Sequence, residues 1–326
     1  MNEMDIKPWL IRMSQGDEEA FQTIYDLTRD QAFGLIYYLA PNKHDVPDIM
    51  SEVYIELFKS LDNYQLEQKF SSWTLLFEET KGNMTMSAET LEDLSLSKTQ
   101  LDSIRQARNE VKAQLNPGES AVVYLTDLDN VKRLPFIPVS QPDVNEDLDT
   151  WRKALTDRHF DVLPPDSLLG TYRFTGGMEL SPFGAYAGSE TDIAALLEEL
   201  KAESEESRKD YIWRKTSIPT SFPLLSYTTV YRNSDQETLY LVMETPRDSK
   251  VKIQTLAPSS AEYEEMELNG HAAHYLINDS FVYTDSHVYQ EISWMIEKEG
   301  QAILYRLGSD SPAMTKERLM EAAKSI

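Results

Sequence analysis

Cysteine is absent from the 326 residues. That excludes disulfides, thiolate zinc sites, cysteine-ligated iron–sulfur clusters and cysteine nucleophiles. Positive charge is scarce: 31 Lys and Arg stand against 55 Asp and Glu, for a net charge of −24. A field of that sign repels phosphate, so the whole chain is not expected to bind nucleic acid or anionic membranes non-specifically. Long hydrophobic runs are missing too. The longest, Ala32 to Ala40, has nine residues, against about 20 needed to cross a bilayer. The first residues, Met1-Asn2-Glu3-Met4-Asp5, are acidic and lack the basic start and apolar core of a signal peptide. The expectation is a cytoplasmic chain with no membrane segment. What is present suffices for a sizeable core: 41% of residues are hydrophobic and 10% aromatic. The length suits two or three domains.

Residues 1–77 read as helix. A first helix is expected over Ile6–Met13, with Pro8 tolerated in its first turn. Asp17 is a good N-cap, and Glu18 and Glu19 suit the positive end of the helix it starts. Phe21, Ile24, Tyr25, Thr28, Ala32, Leu35, Ile36 and Leu39 then recur at helical spacing, up to Ala40-Pro41-Asn42. A third helix starts at Asp45. Val46, Ile49, Met50, Val53, Tyr54, Leu57, Phe58 and Leu61 form one continuous apolar face. A short fourth helix is expected from Ser71, carrying Trp73, Leu75, Leu76 and Phe77. Together these make a small helical bundle.

Residues 78–100 show no amphipathic period and read as a linker. A helix from Ser97 to Leu115 follows and stops at Asn116-Pro117-Gly118. Ala121–Leu125 reads as a strand, and Val144–Thr156 and Thr191–Ser207 as helices. From Pro223 the pattern is mostly antiparallel strand: Leu224–Tyr231, Glu237–Met243, Val251–Leu256, a hairpin across Asn269-Gly270, and a further hairpin joining Ile292–Ile296 to Ala302–Leu307. A helix from Thr315 to Ile326 closes the chain. The fold class is therefore α+β: a helical domain over 1–77, then an α+β domain over 101–326 with a mostly antiparallel sheet. The pattern allows two subdomains within it, 101–215 and 216–326. Neither part is basic. Residues 1–77 hold 6 basic and 13 acidic side chains, a balance of −7, and the remainder holds 25 and 42, a balance of −17.

Two phrases in the first segment carry a family resemblance. They are Gly16-Asp17-Glu18-Glu19-Ala20-Phe21 with Ile24-Tyr25, and Asp45-Val46-Pro47-Asp48-Ile49-Met50-Ser51-Glu52-Val53-Tyr54-Ile55-Glu56-Leu57-Phe58. With Leu61-Asp62-Asn63-Tyr64 and Phe70-Ser71-Ser72-Trp73, they resemble region 2 of extracytoplasmic-function sigma factors of bacterial RNA polymerase. Asp45, Asp48, Ile49, Glu52 and Phe58 match that family's core-binding helix, whereas Pro47 and Ser51 depart from it. The resemblance implies that this helix docks on the clamp of the polymerase β′ subunit. Asp45, Asp48 and Glu52 share one helix edge, which suits an Arg-rich partner; the same carboxylates also serve simply to cap and solvate a helix. Tyr64, Phe70 and Trp73 imply weak contact with single-stranded promoter DNA. The basic stretch that normally follows Trp73 is missing, as is the family's helix-turn-helix region, so promoter reading is expected to be truncated.

The second segment resembles the extracytoplasmic domain of membrane-anchored anti-sigma factors. The resemblance rests on Glu267-Leu268-Asn269-Gly270-His271-Ala272-Ala273, on Ile292-Ser293-Trp294 with Ile303-Leu304-Tyr305-Arg306-Leu307, and on the terminal helix ending Ala322-Ala323-Lys324-Ser325-Ile326. It implies a non-enzymatic sensing or binding domain of unknown ligand. A cytosolic segment would then adjoin a domain normally found outside the membrane. That juxtaposition implies a gene fusion with an internal deletion, or an engineered or mis-assembled reading frame. In the sensing-domain alternative the N-terminal helices are a fusion relic.

No chemistry-bearing motif stands out. His271 and His274, three apart on a strand, face opposite sides and are not expected to share a metal. His44, His159 and His287 lie apart in sequence. Gly176-Gly177 is read as part of a turn without phosphate-loop spacing, and Glu198, Glu199 and Glu203 to Glu206 as a solvated helix face. No cofactor, metal or enzymatic activity is expected.

Overall fold

The computed structural model describes residues 12, 17–39, 43, 46–62, 74–91, 94–128, 131, 134–158, 160, 162–183, 190–216, 223–247, 250–298 and 300–326. The chain divides into two compact units, Met1–Phe70 and Ser71–Ile326. The α+β class stands, but the helical part gives way to strand at Thr74 rather than continuing to residue 77.

In the first unit, helices α1 (Glu18–Leu39) and α2 (Val46–Asp62) pack on each other. Asp17 caps α1 as its position predicts: its Oδ1 accepts from the Glu19 and Ala20 amides at 3.0 and 3.2 Å. The Arg12 guanidinium, 2.8 Å from Asp17 Oδ2, and those amide bonds hold the Asp17 carboxyl below its usual range. Apart from Arg12, the helix expected over Ile6–Met13 lies outside the described residues.

The second unit is organised around an eight-stranded antiparallel sheet. Its strands are β5 (Ser167–Leu168), β6 (Tyr172–Met178), β8 (Leu224–Arg232), β9 (Thr238–Pro246), β11 (Glu262–Leu268), β12 (His271–Asn278), β13 (Tyr289–Lys298) and β14 (Gln301–Ser309), in the order β11-β12-β13-β14-β9-β8-β6-β5. The β11–β12 turn bears out the hairpin signal, because Asn269 and Gly270 both take positive φ, 52° and 82°. Strand alternation sends two sets of side chains to opposite faces. One face carries Leu239, Leu241, Met243, Ile292, Trp294, Tyr305 and Leu307. It is covered by α4 (Leu148–Asp157), through Trp151 and Leu155, and by α6 (Lys316–Lys324), through Leu319, Ala322 and Ala323.

The other face is covered by a smaller sheet, and here the sequence reading needs correction. Residues 78–91, expected as linker, belong to a hairpin of β1 (Thr74–Lys81) and β2 (Met84–Leu91). Strand β10 (Val251–Pro258) pairs with β2 in parallel, giving the order β1-β2-β10. Met84 and Met86 are buried against Met295, Ala302 and Leu304. The helix expected from Ser71 is likewise replaced, since Leu75, Leu76 and Phe77 lie in β1. Short alternations such as Met84, Met86 and Ala88 stand out only once a sheet face is there to receive them.

A third sheet, β4-β3-β7, is antiparallel and comprises β3 (Glu119–Leu125), β4 (Ile137–Gln141) and β7 (Tyr211–Thr216). The apolar run of β3 is explained by burial on both sides. Ala121 and Val123 meet α3 (Lys98–Lys112), while Val122 and Tyr124 meet the α5 side (Glu190–Ser207). A cut between residues 215 and 216 would not yield two subdomains, because β5 and β6 precede it and belong to the eight-stranded sheet, and α4, which packs on that sheet, precedes it too. Gly176 and Gly177 lie in β6 at a register shift rather than in a turn; a Cβ at Gly177 would collide with the indole of Trp151.

The β1–β2 hairpin is pinned to the large sheet by polar contacts as well. His274 on β12 is buried and stacks on Phe77, with ring centroids 3.6 Å apart. Its Nε2 lies 3.1 Å from Glu79 Oε2 and its Nδ1 2.9 Å from the Tyr263 hydroxyl. In the neutral ring, Nε2–H donates to the carboxylate and Nδ1 accepts from the phenol. Burial lowers the His274 pKa below 6.5, and the Glu79 carboxylate offsets only part of that; Glu265 adds to the offset and Lys81 opposes it.

Two outcomes follow from this packing. Limited proteolysis should spare 84–91, and a chain beginning at residue 101 should be less stable than one beginning at residue 71; cleavage within β2 under native conditions would contradict the hairpin. Folding also excludes a proton that the unfolded imidazole takes up near 6.5. This stabilisation is present above that pH and is lost as pH falls through the lower folded value. Denaturant unfolding at about pH 7.5 and about pH 5.5 should show a lower stability at the acid value, and His274→Gln should shrink the difference. An unchanged difference would assign the pH dependence to other groups.

Candidate docking helix

Helix α2 presents two distinct sides. Val46, Met50 and Tyr54 are buried, four residues apart, and form the contact with α1 through Phe21, Tyr25 and Ile36. Tyr54 anchors that contact. Its ring lies 4.8 Å from Tyr25 and 6.4 Å from Phe21, centroid to centroid. Its hydroxyl donates to Thr28 Oγ1 at 2.7 Å, while Thr28 itself donates to the Ile24 carbonyl.

The other side is open. Pro47, Asp48, Ser51 and Glu52 are exposed, and Ser51 bonds back to the Pro47 carbonyl at 3.0 Å. Ile49 is only half-buried and Val53 is 45% exposed. The continuous apolar stripe expected from the sequence is thus wider than the surface α1 covers. At 100° per residue, Asp48 and Glu52 lie beside Ile49 and Val53, so a two-carboxylate row borders an uncovered apolar edge. Asp48 and Glu52 have no charged partner among the described residues. Carboxylates next to apolar side chains can accept guanidinium or ammonium groups while the apolar edge is buried by the partner's stem carbons.

The other predicted positions are less fully placed. Phe58 lies on α2. Asp45, Tyr64, Phe70 and Trp73 fall outside the described residues, as do His44 and His159. Elsewhere, His271 and His274 point to opposite faces of the large sheet as expected, with His274 toward the hairpin. The α5 carboxylates are not simply solvated: Arg214 on β7 pairs with Glu203 and with Glu199. Among the described residues no three His, Asp or Glu side chains are grouped to hold a metal ion.

One ionic cluster was not legible in the sequence. Arg306 on β14 donates from Nε to Glu244 Oε2 at 3.1 Å and from Nη1 to Glu291 Oε1 at 2.8 Å. The three residues are 62, 15 and 47 positions apart in chain order, and only the register of β9, β13 and β14 unites them. Burial acts to lower the Arg306 pKa, but the two carboxylates outweigh it and hold the guanidinium above its usual value. Burial pushes Glu244 up despite its contact with Arg306.

Among curated proteins, the N-terminal part of the chain is similar to sigma factors. It is 34% identical over 71 residues to the ECF RNA polymerase sigma factor SigW of Bacillus subtilis, covering 22% of this chain and 38% of that protein. It is 27% identical over 62 residues to the ECF RNA polymerase sigma-E factor of Haemophilus influenzae, covering 19% and 32%. This chain thus spans about a third of the length of the curated relatives it matches. No family model matches the chain, and no solved structure matches it.

The two sides of α2 should separate on mutation. Tyr54→Phe, which removes the hydroxyl donated to Thr28, should cost the first unit about 1 kcal/mol in denaturant unfolding. The double change Asp48→Lys with Glu52→Lys should alter it by about 0.5 kcal/mol or less. A larger loss from the charge reversals would make those carboxylates structural.

Proposed function

We propose that the N-terminal unit is a sigma-factor-like module that docks on the RNA polymerase core, at the β′ clamp, through the exposed edge of α2. In this reading Asp48 and Glu52 meet basic side chains of the clamp, and Ile49 is buried with them. The match to the family's core-binding helix adds Asp45 and Phe58 to the residues proposed for the interface. The observation that carries the proposal is the uncovered stripe: a helix held by Tyr54 on one side presents carboxylates beside apolar residues on the other. The likeness to ECF sigma factors over the N-terminal part supports it.

The module is truncated in its DNA-reading parts. Tyr64, Phe70 and Trp73 offer stacking surfaces, but the sequence after Trp73 lacks the basic residues that would follow a phosphate backbone. Contact with DNA is confined to weak capture of a single-stranded promoter element in the presence of polymerase. In the alternative reading the second unit is a non-enzymatic sensing or binding domain of the anti-sigma type and the N-terminal helices are a fusion relic; in either reading the proposed location is the cytoplasm. No helix among the described residues is long and apolar enough to cross a membrane.

Pull-down with core polymerase tests the docking. The full chain should retain the core, and Asp48→Lys with Glu52→Lys should abolish retention while circular dichroism stays unchanged. Undiminished retention would remove that edge from the interface. Run-off transcription from a defined promoter should show little or no specific initiation; robust initiation would show that the missing basic stretch is dispensable.

A further inference from the structure

The face of the large sheet turned toward β1, β2 and β10 is not wholly filled. A cavity of about 260 Å³ lies between β10 and strands β9, β12, β13 and β14. Glu244, Glu291 and Arg306 line it, with side chains 12, 9 and 13% exposed. Thr255 on β10 accepts from Arg306 Nη1 at 3.2 Å, which ties the guanidinium across the cavity's base. Aromatic rings form another side. Phe281 stacks on Tyr289 at 4.6 Å, and Phe183 meets both edge-on at 5.0 and 4.9 Å. Gly308, opposite Glu291 in the ladder, makes room for this arrangement, because a Cβ there would overlap the Tyr289 phenol.

The charges do not balance. With both carboxyls ionised, two carboxylates against one guanidinium leave a formal −1 in a largely dehydrated place; burial opposes that ionisation at Glu244, and a bound cation would favour it. Among the described residues Arg306 is the sole side chain bonded to Glu291, through one of its two oxygens. An anionic ligand would add to the surplus, and a neutral apolar one would cover the carboxylates without replacing their water. A cation satisfies the carboxylates, and its apolar body suits the rings, whose π-faces also attract positive charge. The volume is slightly below the range of about 300–1,000 Å³ for pockets that hold drug-sized ligands. The occupant is therefore a small molecule. We propose that this inter-sheet cavity is a binding site for a small organic cation, a primary ammonium carried on a short aromatic or alkyl body.

Titration calorimetry on the full chain can test this with three probes of one shape: 2-phenylethylammonium, 2-phenylethanol and phenylacetate. The ammonium should bind saturably at one site. The alcohol should bind at least about tenfold more weakly, and phenylacetate more weakly still. Glu291→Gln keeps the side-chain shape and one acceptor for Arg306, and should weaken the ammonium about tenfold. Should that variant fail to fold by near-ultraviolet circular dichroism, Phe281→Leu, which alters only the aromatic side, should weaken the same probe and narrow its preference over the alcohol. Tighter binding of phenylacetate than of the ammonium, ammonium affinity unchanged in the folded variants, or no saturable ammonium binding by the folded chain would each overturn the proposal.

Discussion

An eight-stranded antiparallel sheet with apolar residues on both faces must be covered on both faces, and the second unit is built to meet that demand. Helices α4 and α6 close one side. The three-stranded sheet β1-β2-β10 closes the other over Met295, Ala302 and Leu304. That requirement draws residues 74–91 out of any linker role. It also sets the polar chemistry, because a cover made of a second sheet leaves the in-facing Glu244, Glu291, Arg306 and His274 with little access to bulk water. Each must find its partner inside.

The buried ionic cluster is not a sufficient account of stability. Dehydrating three charges costs several kcal/mol per ion, and an apolar trio of similar volume is often no less stable. Good geometry offsets part of that cost here: one guanidinium serves two carboxylates and a threonine hydroxyl. One carboxyl is still in excess of the guanidinium. A cavity with rings on one side and that surplus at its base has a physical reason to select by charge as well as by shape.

The first unit meets a different constraint. Its described core is small: Val46, Met50 and Tyr54 of α2, with partly buried residues around them. Helix α1 does not cover the whole apolar stripe of α2, and Ile49 and Val53 lie at its margin. Exposed apolar residues flanked by carboxylates make a surface that gains from being covered by a basic partner.

The sequence by itself determined much that is local. The Asp17 cap, the start of α2 at Val46, the Asn269-Gly270 turn, the terminal helix after Thr315 and most strands from residue 224 onward follow from short-range periodicity and turn chemistry. The acidic row of α2 followed from helical spacing as well, because residues four apart share an edge wherever the helix sits. Tertiary structure alone decided what depends on partners distant in the chain. Residues 78–91 became strands because a sheet face and β10 were there to pair with them. Gly177 sits in a strand paired with β8, where a Cβ would collide with Trp151. Glu244, Glu291 and Arg306 became one cluster through strand register, which no window of a few residues contains. The reason is common to all three cases: local pattern sets the direction in which a side chain points, and long-range packing decides what it meets there.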